Sequence, residues 1–296
     1  MKKFLKKHVI EIVLSIVLFA GLCLILYPTV SDWWNSFHQS RAIASYVETV
    51  DEMSEEERRE MLAAARAYNE KLAAGNGGFL LGEREQQEYE SLLDVSGTGI
   101  MGYIQIPSLG VSLPVYHGTE EAVLQVAIGH IPGSSLPVGG ESTHCLVSGH
   151  RGLPSARLFT DLDQMEEGDV FTLTVLGQTI TYQVDQIRVV LPEEQEELRI
   201  TEGEDYCTLI TCTPYGINSH RILVRGTRIR NLEDTYTITA EAVKIPVYRV
   251  VLAVGAPIVF LTLLGIWIFR RIRRPKKSMK ELLEDLREDE KKDDVS

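Results

Sequence analysis

A cysteine, a histidine and an arginine stand where strands are predicted to end, and these residue types together can support nucleophilic catalysis. Cys212 ends the apolar run "YCTLITC" and precedes "TPYG", a proline-containing turn. Because side chains alternate along a strand, Cys207 and Cys212 point to opposite faces and are not expected to pair. Strand ends beside loops often display reactive groups. Cys212 is therefore the candidate nucleophile, and its alternative role is that of a small buried hydrophobe.

A guanidinium and an imidazole are the groups that could assist this thiol. After "TPYGINS" the chain returns as "HRILVRG", and pairing of the two strands would bring Arg221 beside Cys212. A nearby cation favours a thiolate, and fixed donors can hold a developing oxyanion. Among the histidines between residues 28 and 246, His150 is the best placed to assist the thiol. The segment "THCLVSGHRG" predicts an apolar strand that leads into a glycine-flanked loop containing this histidine. Arg151 is a rival cation in that loop, where simple solvation would also explain it.

The other histidines and cysteines fit structural roles. His144 lies within a predicted strand and His130 within "GHIPG", where hydrogen-bonded positions are expected. Cys145 and Cys207 are predicted to be buried strand thiols, and a disulfide between them requires neighbouring strands with suitable Cβ vectors. The sequence has neither a CxxC pair nor clustered histidines. We therefore predict no metal site and no cofactor.

The pattern of residues around these candidates predicts helices followed by a β domain. Ser54 and Glu57 form a capping-box signature for a helix that ends before Gly75, and "EREQQEYESLL" predicts a further short helix. From Gly99 onward, seven or eight short runs rich in Val, Ile, Thr and Tyr occupy about 130 residues. "VLGQTITYQV" predicts a hairpin with Gly177 in its turn. The fold class is mainly β, as a closed or nearly closed barrel or a sandwich.

Two apolar runs, residues 9–27 and 247–269, are long enough to cross a membrane. The basic segment "MKKFLKKH" precedes the first run and "RRIRRPKK" follows the second. Because positive flanks stay cytoplasmic, both termini are predicted inside and the middle of the chain outside. A cleaved signal peptide is the alternative interpretation of the first run.

Charge is distributed unevenly between the two sides of the predicted membrane. Residues 28–246 contain 15 basic and 33 acidic side chains, a net charge of −18. A domain this acidic is a poor candidate for binding nucleic acid or anionic lipid. The predicted division of the chain is a cytoplasmic N-terminus 1–8, a transmembrane helix 9–27, an extracellular helical region 28–98, a β domain 99–235 that contains the candidate residues, a linker 236–246, a transmembrane helix 247–269 and a charged cytoplasmic tail 270–296.

Longer strings in the β domain carry a resemblance to a known family. "GIMGYIQIP", "LPVYHG", "GSSLPVGGESTHCLVSGHRGLPSARLFTDLD", "YQVDQI" and "TLITCTPYGINSHRILVRGTRI" are similar to class C sortases, the pilin-polymerising cysteine transpeptidases of Gram-positive cell surfaces. The resemblance spans roughly residues 99–229. It implies a sortase-type closed β-barrel of about eight strands with N-terminal helices, flanked by two transmembrane helices.

This resemblance also implies roles and partners. Cys212 corresponds to the nucleophile, His150 to the general acid or base, and Arg221 to the group that orients substrate and steadies the oxyanion. The implied substrates are pilins with a Leu-Pro-x-Thr-Gly-type signal, cleaved between Thr and Gly through a thioacyl enzyme and transferred to a pilin lysine. Two alternatives stay open: a sortase that attaches proteins to peptidoglycan, and a non-catalytic surface module. The presence of Cys212, His150 and Arg221 together argues against the second alternative.

One stretch departs from the class C pattern. These sortases commonly carry a lid with an Asp-Pro-aromatic motif between the helices and the barrel. The corresponding stretch here, "AAGNGGFLLGEREQQEYESLL", has no Asp-Pro pair, and Phe79 is the aromatic residue that could substitute. We therefore predict a shortened or absent lid and a more open groove.

Overall fold

The computed structural model describes residues 2–75, 79 and 81–231, together with residues 255, 260, 261, 264 and 265. The predicted linker, the charged tail and, apart from those positions, the second apolar run lie outside the described residues. The prediction of a second transmembrane helix therefore stays a prediction.

The N-terminal part of the described chain is helical, as predicted. One long helix includes the first apolar run, and it is long and apolar enough to cross a membrane by length and composition. In the second helix the Ser54 hydroxyl accepts from the Glu57 amide at 3.2 Å, and the Glu57 carboxylate accepts from the Ser54 amide at 2.9 Å. This capping box confirms the predicted start of that helix. The helices of the described part are α1 (Lys2–Glu52), α2 (Glu55–Ala74), α3 (Glu83–Ser91) and α4 (Glu121–Leu124).

The β domain is a closed barrel of eight strands, which decides between the barrel and the sandwich left open by the sequence. Neighbours around the barrel follow the order β1-β2-β3-β4-β7-β8-β6-β5, and β5 pairs with β1 to close it. Leu176 and Gly177 join β5 to β6 with positive φ angles of 48° and 77°, as a two-residue hairpin turn requires. The strands are β1 (Ile100–Ile106), β2 (Val111–His117), β3 (Ile128–His130), β4 (Thr143–Ser148), β5 (Val170–Val175), β6 (Gln178–Val190), β7 (Asp205–Thr213) and β8 (His220–Ile229).

Alternation along the strands separates the barrel interior from its outer face. Inward-pointing residues of β4, β7 and β8 form one apolar core with those of the other strands, for example Val147, Leu209 and Val224. A second core lies between the helices and the barrel. There the Tyr46 hydroxyl donates to the Met101 carbonyl at 3.0 Å and accepts from the Leu176 amide at 2.9 Å. These bonds fix α1 to the barrel.

Candidate active site

Cys212 and Arg221 occupy directly opposite positions of the antiparallel strands β7 and β8. Cys212 is partly exposed, whereas Cys207, five positions earlier, is 0% exposed inside the barrel. The predicted opposition of the two cysteines and the predicted proximity of Arg221 to Cys212 are both confirmed. The outward thiol therefore has a guanidinium-bearing residue as its cross-strand neighbour.

His150 is brought to the same end of the barrel by parallel pairing of β4 with β7. Beyond the last paired residues, the Gly149 amide donates to the Ile210 carbonyl at 3.0 Å. The Thr211 hydroxyl donates to the Gly149 carbonyl at 2.7 Å. Continuing the register two residues beyond Ser148 and Ile210 places His150 level with Cys212. The hydrogen bonds tie the backbone before His150 to the strand that carries the thiol.

A carboxylate that the sequence did not suggest lies near the imidazole. The Glu121 Oε2 atom is 3.8 Å from the His150 Nε2 atom. Glu121 begins α4, the short helix between β2 and β3, and its side chain is largely exposed. No local motif marks it, because the contact depends on how two loops from distant parts of the chain meet.

The Arg221 guanidinium is oriented by the turn that connects its strand to β7. Its Nη1 atom donates to the carbonyls of Asn218 and His220, each at 3.1 Å. Within the described part of the chain, its Nε and Nη2 atoms have no protein partner. These donors are consequently available to an oxygen atom of a bound substrate.

Arg151 is not the solvated loop residue that the sequence allowed. Its side chain is only 10% exposed, and it forms an ion pair with Asp163. Its Nη1 atom donates to the Thr213 hydroxyl at 3.1 Å, next to Cys212. The loop after β4 folds back over the end of β7, so Arg151 braces this loop rather than facing water.

The turn after Cys212 packs against the loop that carries His150. The Thr213–Pro214 peptide bond is cis, and the following Tyr215 ring lies over Gly152. A Cβ atom built on Gly152 would approach the ring to 2.8 Å, and Gly152 has a positive φ of 75°. Both the close approach and the left-handed backbone favour glycine at this position.

An apolar groove floor begins two register positions from Cys212 and Arg221, at the next pair on the same face of the barrel. Ile210 and Leu223 are a cross-strand pair on the outer face of the barrel, and the Phe79 side chain packs on this cluster. The outer-face cluster consists of Leu146, Val190, Ile210 and Leu223, against which Phe79, Ile131 and Leu198 pack. Phe79 thus covers apolar surface beside the thiol. The shortened or absent lid stays a prediction.

The groove becomes polar two register positions farther along the strands, at Thr208 and Arg225. Arg225 forms an ion pair with Asp185 at 2.7 Å, and its guanidinium carbon lies 4.3 Å from the centroid of the Tyr206 ring. This end of the groove is lined by Gln186, Arg188, Glu197, Thr208, Leu223 and Arg225. The outer face therefore offers an extended chain a thiol, then apolar contacts, then charged groups.

His144, Cys145 and Cys207 are buried in the barrel, which agrees with the structural roles predicted for them. His144 is buried, with Nδ1 donating to the Arg199 carbonyl at 2.9 Å and Nε2 accepting from Thr208 at 2.7 Å. Burial lowers the pKa of His144 to about 4, so its imidazole is neutral at physiological pH. Cys145 and Cys207 are buried free thiols on neighbouring strands, directly opposite each other.

The fold and this site define a closed β-barrel protein with a thiol, an imidazole-bearing loop and a guanidinium at one end. A family model described as the sortase domain matches residues 104–229. Sortase C1 of Streptococcus agalactiae is 50% identical, with a TM-score of 0.63 over 65% of this chain and 100% of that structure. Sortase C of Clostridium perfringens, solved with the C-terminal cell wall sorting motif, is 40% identical, with a TM-score of 0.57 over 64% of this chain and 98% of that one. The chain belongs to the sortase family, and these structural neighbours are class C sortases.

Two curated relatives match a shorter part of this chain than these solved structures do. Sortase D of Bacillus subtilis is 25% identical over 43% of this chain and 63% of its own length. Sortase A of Bacillus anthracis is 30% identical over 43% of this chain and 59% of its own length. The chain thus spans about three fifths of the length of these curated relatives.

Proposed function

We propose that this protein is a membrane-anchored cysteine transpeptidase that cleaves a Leu-Pro-x-Thr-Gly-type signal between Thr and Gly. The observation that carries the proposal is the alignment of three strands at one barrel end. Cys212 is paired with Arg221 across β7 and β8, and the register of β4 with β7 brings His150 level with Cys212. A partly exposed thiol with a cation and an imidazole-bearing loop at the same barrel end is an arrangement suited to acyl transfer.

In the first half of the reaction, Cys212 acts as a thiolate and His150 as an imidazolium. The sulfur attacks the threonine carbonyl carbon, and the carbonyl electrons move to oxygen. The free donors of Arg221 stabilise the resulting oxyanion. Collapse of this intermediate breaks the Thr–Gly C–N bond, and the departing amine takes a proton from His150. The products are a thioester on Cys212 and the peptide that begins with glycine.

In the second half, an amine resolves the thioester. Its nitrogen attacks the thioester carbonyl and gives a proton to His150, and the C–S bond breaks to restore the thiolate. We propose that the amine is a lysine side chain of a pilin subunit, so that the product is an isopeptide bond between pilins. The likeness to class C sortases supports this choice, since a Streptococcus pneumoniae sortase C among the neighbours, 44% identical, is described in terms of pilin substrate specificity.

Anchoring belongs to the same proposal. The first apolar run lies in α1, the helix that is long and apolar enough to cross a membrane. Its basic flank "MKKFLKKH" favours a cytoplasmic N-terminus, which places the barrel outside the cell. We further propose that residues 247–269 form the second span, with the tail in the cytoplasm.

The decisive experiment uses the full chain in detergent with a Leu-Pro-x-Thr-Gly peptide and detects the intact protein by mass spectrometry. The expected result is a mass increase equal to the peptide up to threonine, lost in Cys212→Ala and kept in Cys23→Ser, a matched change of a thiol far from the site. An adduct that survives Cys212→Ala would overturn the mechanism.

The acceptor is tested separately with a pilin subunit. A covalent ladder that disappears when the pilin acceptor lysine is replaced supports polymerisation. Transfer to a peptidoglycan amine in the absence of any ladder would instead identify the wall-anchoring alternative.

A further inference from the structure

The anchor helix and the barrel are joined without a linker. Helix α1 runs unbroken from Lys2 to Glu52, and the predicted transmembrane run within it ends at Tyr27. Just beyond that point, the Asp32 carboxylate accepts from the Arg157 amide at 2.7 Å, and the Asn35 side-chain amide donates to the Ser155 carbonyl at 2.8 Å. The first exposed turns of the helix therefore already contact the barrel domain.

These contacts set the distance between the barrel and the bilayer. Asp32 is five residues beyond Tyr27, which corresponds to about 7.5 Å along a helix. The headgroup layer on each side of a bilayer is roughly 5 to 8 Å thick. If α1 spans the membrane as proposed, the segment 155–157 lies at the outer edge of the headgroups.

The end of the barrel nearest this segment is the end that carries the thiol. Residues 155–157 belong to the loop that begins with His150 after β4. Tyr215, in the turn after Cys212, lies over Gly152 of the same loop. Farther from the span, Tyr46 of α1 contacts the hairpin between β5 and β6. Helix α1 thus runs along the barrel and extends toward the membrane from the end of the barrel at which β4 and β7 end.

Large apolar side chains are exposed at this end. Tyr215 is 61% and Ile217 is 72% exposed in the turn between β7 and β8. On α1, Trp34 is 57% and Phe37 is 52% exposed. Tyrosine and tryptophan are enriched at membrane interfaces, where the ring lies among acyl chains and the polar atom stays hydrated.

The two loop segments nearest the thiol are not acidic, although the external region as a whole is. The loop 149–163 contains two arginines and two aspartates, and the segment 213–221 contains one arginine, so the sum is +1. Both aspartates of the loop are ion-paired, Asp161 with Arg157 and Asp163 with Arg151. These two segments therefore lack the excess negative charge of residues 28–246, −18 in total. Two further carboxylates lie at this end, Asp32 against the Arg157 amide and Glu121 beside His150.

From these observations we infer that the barrel end carrying Cys212 docks on the outer surface of the bilayer, with Tyr215 and Ile217 inserted at the headgroup level. The inference rests on the proposed anchoring by α1. Docking orients the thiol and the start of the groove toward the membrane surface. The turn between β7 and β8 is then a lipid-binding surface as well as the support of Arg221.

The test measures the depth of position 217 in the full chain. The protein carries Ile217→Cys in a background of Cys212→Ala and Cys23→Ser, which leaves the buried Cys145 and Cys207 as the other thiols. It is labelled with an environment-sensitive fluorophore and reconstituted into vesicles of phosphatidylcholine and phosphatidylglycerol that contain a spin-labelled lipid. The matched control places the label at exposed Glu202, just before the opposite end of β7.

Docking predicts a blue shift of the fluorescence emission at position 217. It also predicts at least about twofold stronger quenching of this emission by the spin-labelled lipid than at position 202, because only a label at the interface contacts the spin label. Equal, weak quenching at both positions in protein that floats with the vesicles would refute the inference. Shielding of position 217 only after a pilin subunit is added would also refute it and would identify the turn as a protein-binding surface.

The same experiment separates the inference from the proposals on which it rests. Failure of the protein to float with the vesicles would refute the anchor rather than the orientation. The measurement does not use the Cys212 thiol, so a failed peptide reaction would leave its result unaffected.

Discussion

Cys212 and Arg221 face each other across β7 and β8, and the turn that joins these strands holds the Arg221 guanidinium through the carbonyls of Asn218 and His220. The cation is therefore positioned before any substrate arrives. Such preorganisation is what makes a fixed donor effective toward a developing oxyanion.

Replacement of Arg221 by alanine is expected to lower kcat/KM for peptide cleavage by about 100- to 1,000-fold, the usual cost of losing an oxyanion donor. Arg221→Lys should recover only part of this loss, because an ammonium lacks the planar set of donors that contacts both the turn and the substrate. Steady-state kinetics would measure both effects. Arg230→Ala, at an exposed position beyond the end of β8, is the matched control and should retain full activity.

Removal of Phe79 is expected to expose the groove. Its ring packs on the outer-face cluster beside Cys212, so Phe79→Ala should raise the rate of Cys212 alkylation by about fivefold, which corresponds to roughly 1 kcal/mol of apolar contact. Leu81→Ala, which alters packing against the core under the helices, is the control. An unchanged alkylation rate in Phe79→Ala would support the alternative that no lid covers the thiol.

The hydrogen bond from Thr211 to the Gly149 carbonyl is expected to position the loop of His150. Thr211→Val leaves that buried carbonyl without its partner, and we expect a loss of about 1 to 3 kcal/mol in the free energy of unfolding. kcat should fall while KM stays nearly constant. Thr174→Val, which breaks a hydrogen bond of 2.9 Å with Thr179 away from the site, should reduce stability without this change in kcat.

Stability is expected to depend on pH through His144. Burial lowers the pKa of this imidazole to about 4, below its unfolded value near 6.5, so the unfolded chain binds the proton more readily between these values. The contribution is fully present above pH 6.5 and is lost as the pH falls toward 4, with a total on the order of 3 kcal/mol. Denaturant unfolding from pH 7 to 4 would show a smaller decrease for His144→Gln. A parallel decrease in both proteins would contradict the prediction.

The four cysteines are expected to differ in reactivity but not in oxidation state. Burial raises the pKa of the Cys207 thiol well above its usual range, so this thiol should resist alkylation in the folded protein. Titration of thiols should detect Cys212 first under native conditions in detergent and all four cysteines after denaturation. A count of two after denaturation would reveal a disulfide between Cys145 and Cys207.

Much of the local structure follows from short-range patterns. The capping box of Ser54 and Glu57 predicts the start of α2, because both hydrogen bonds lie within one helical turn. Alternation along a strand separates Cys207 from Cys212, since it depends only on the backbone of that strand. The pairing of Cys212 with Arg221 is also predictable, because a short turn joins their strands and brings them together.

The tertiary structure decides what distant segments bring to the site. The position of His150 depends on parallel pairing of β4 with β7, and no turn encodes the register of two strands that are some sixty residues apart. Glu121 beside His150, Phe79 on the outer-face cluster and the burial of Arg151 likewise arise where separate loops meet. Residue types and strand faces can thus be predicted from the chain alone. Which of these residues become neighbours depends on closure of the barrel, because non-local contacts exist only once the chain is folded.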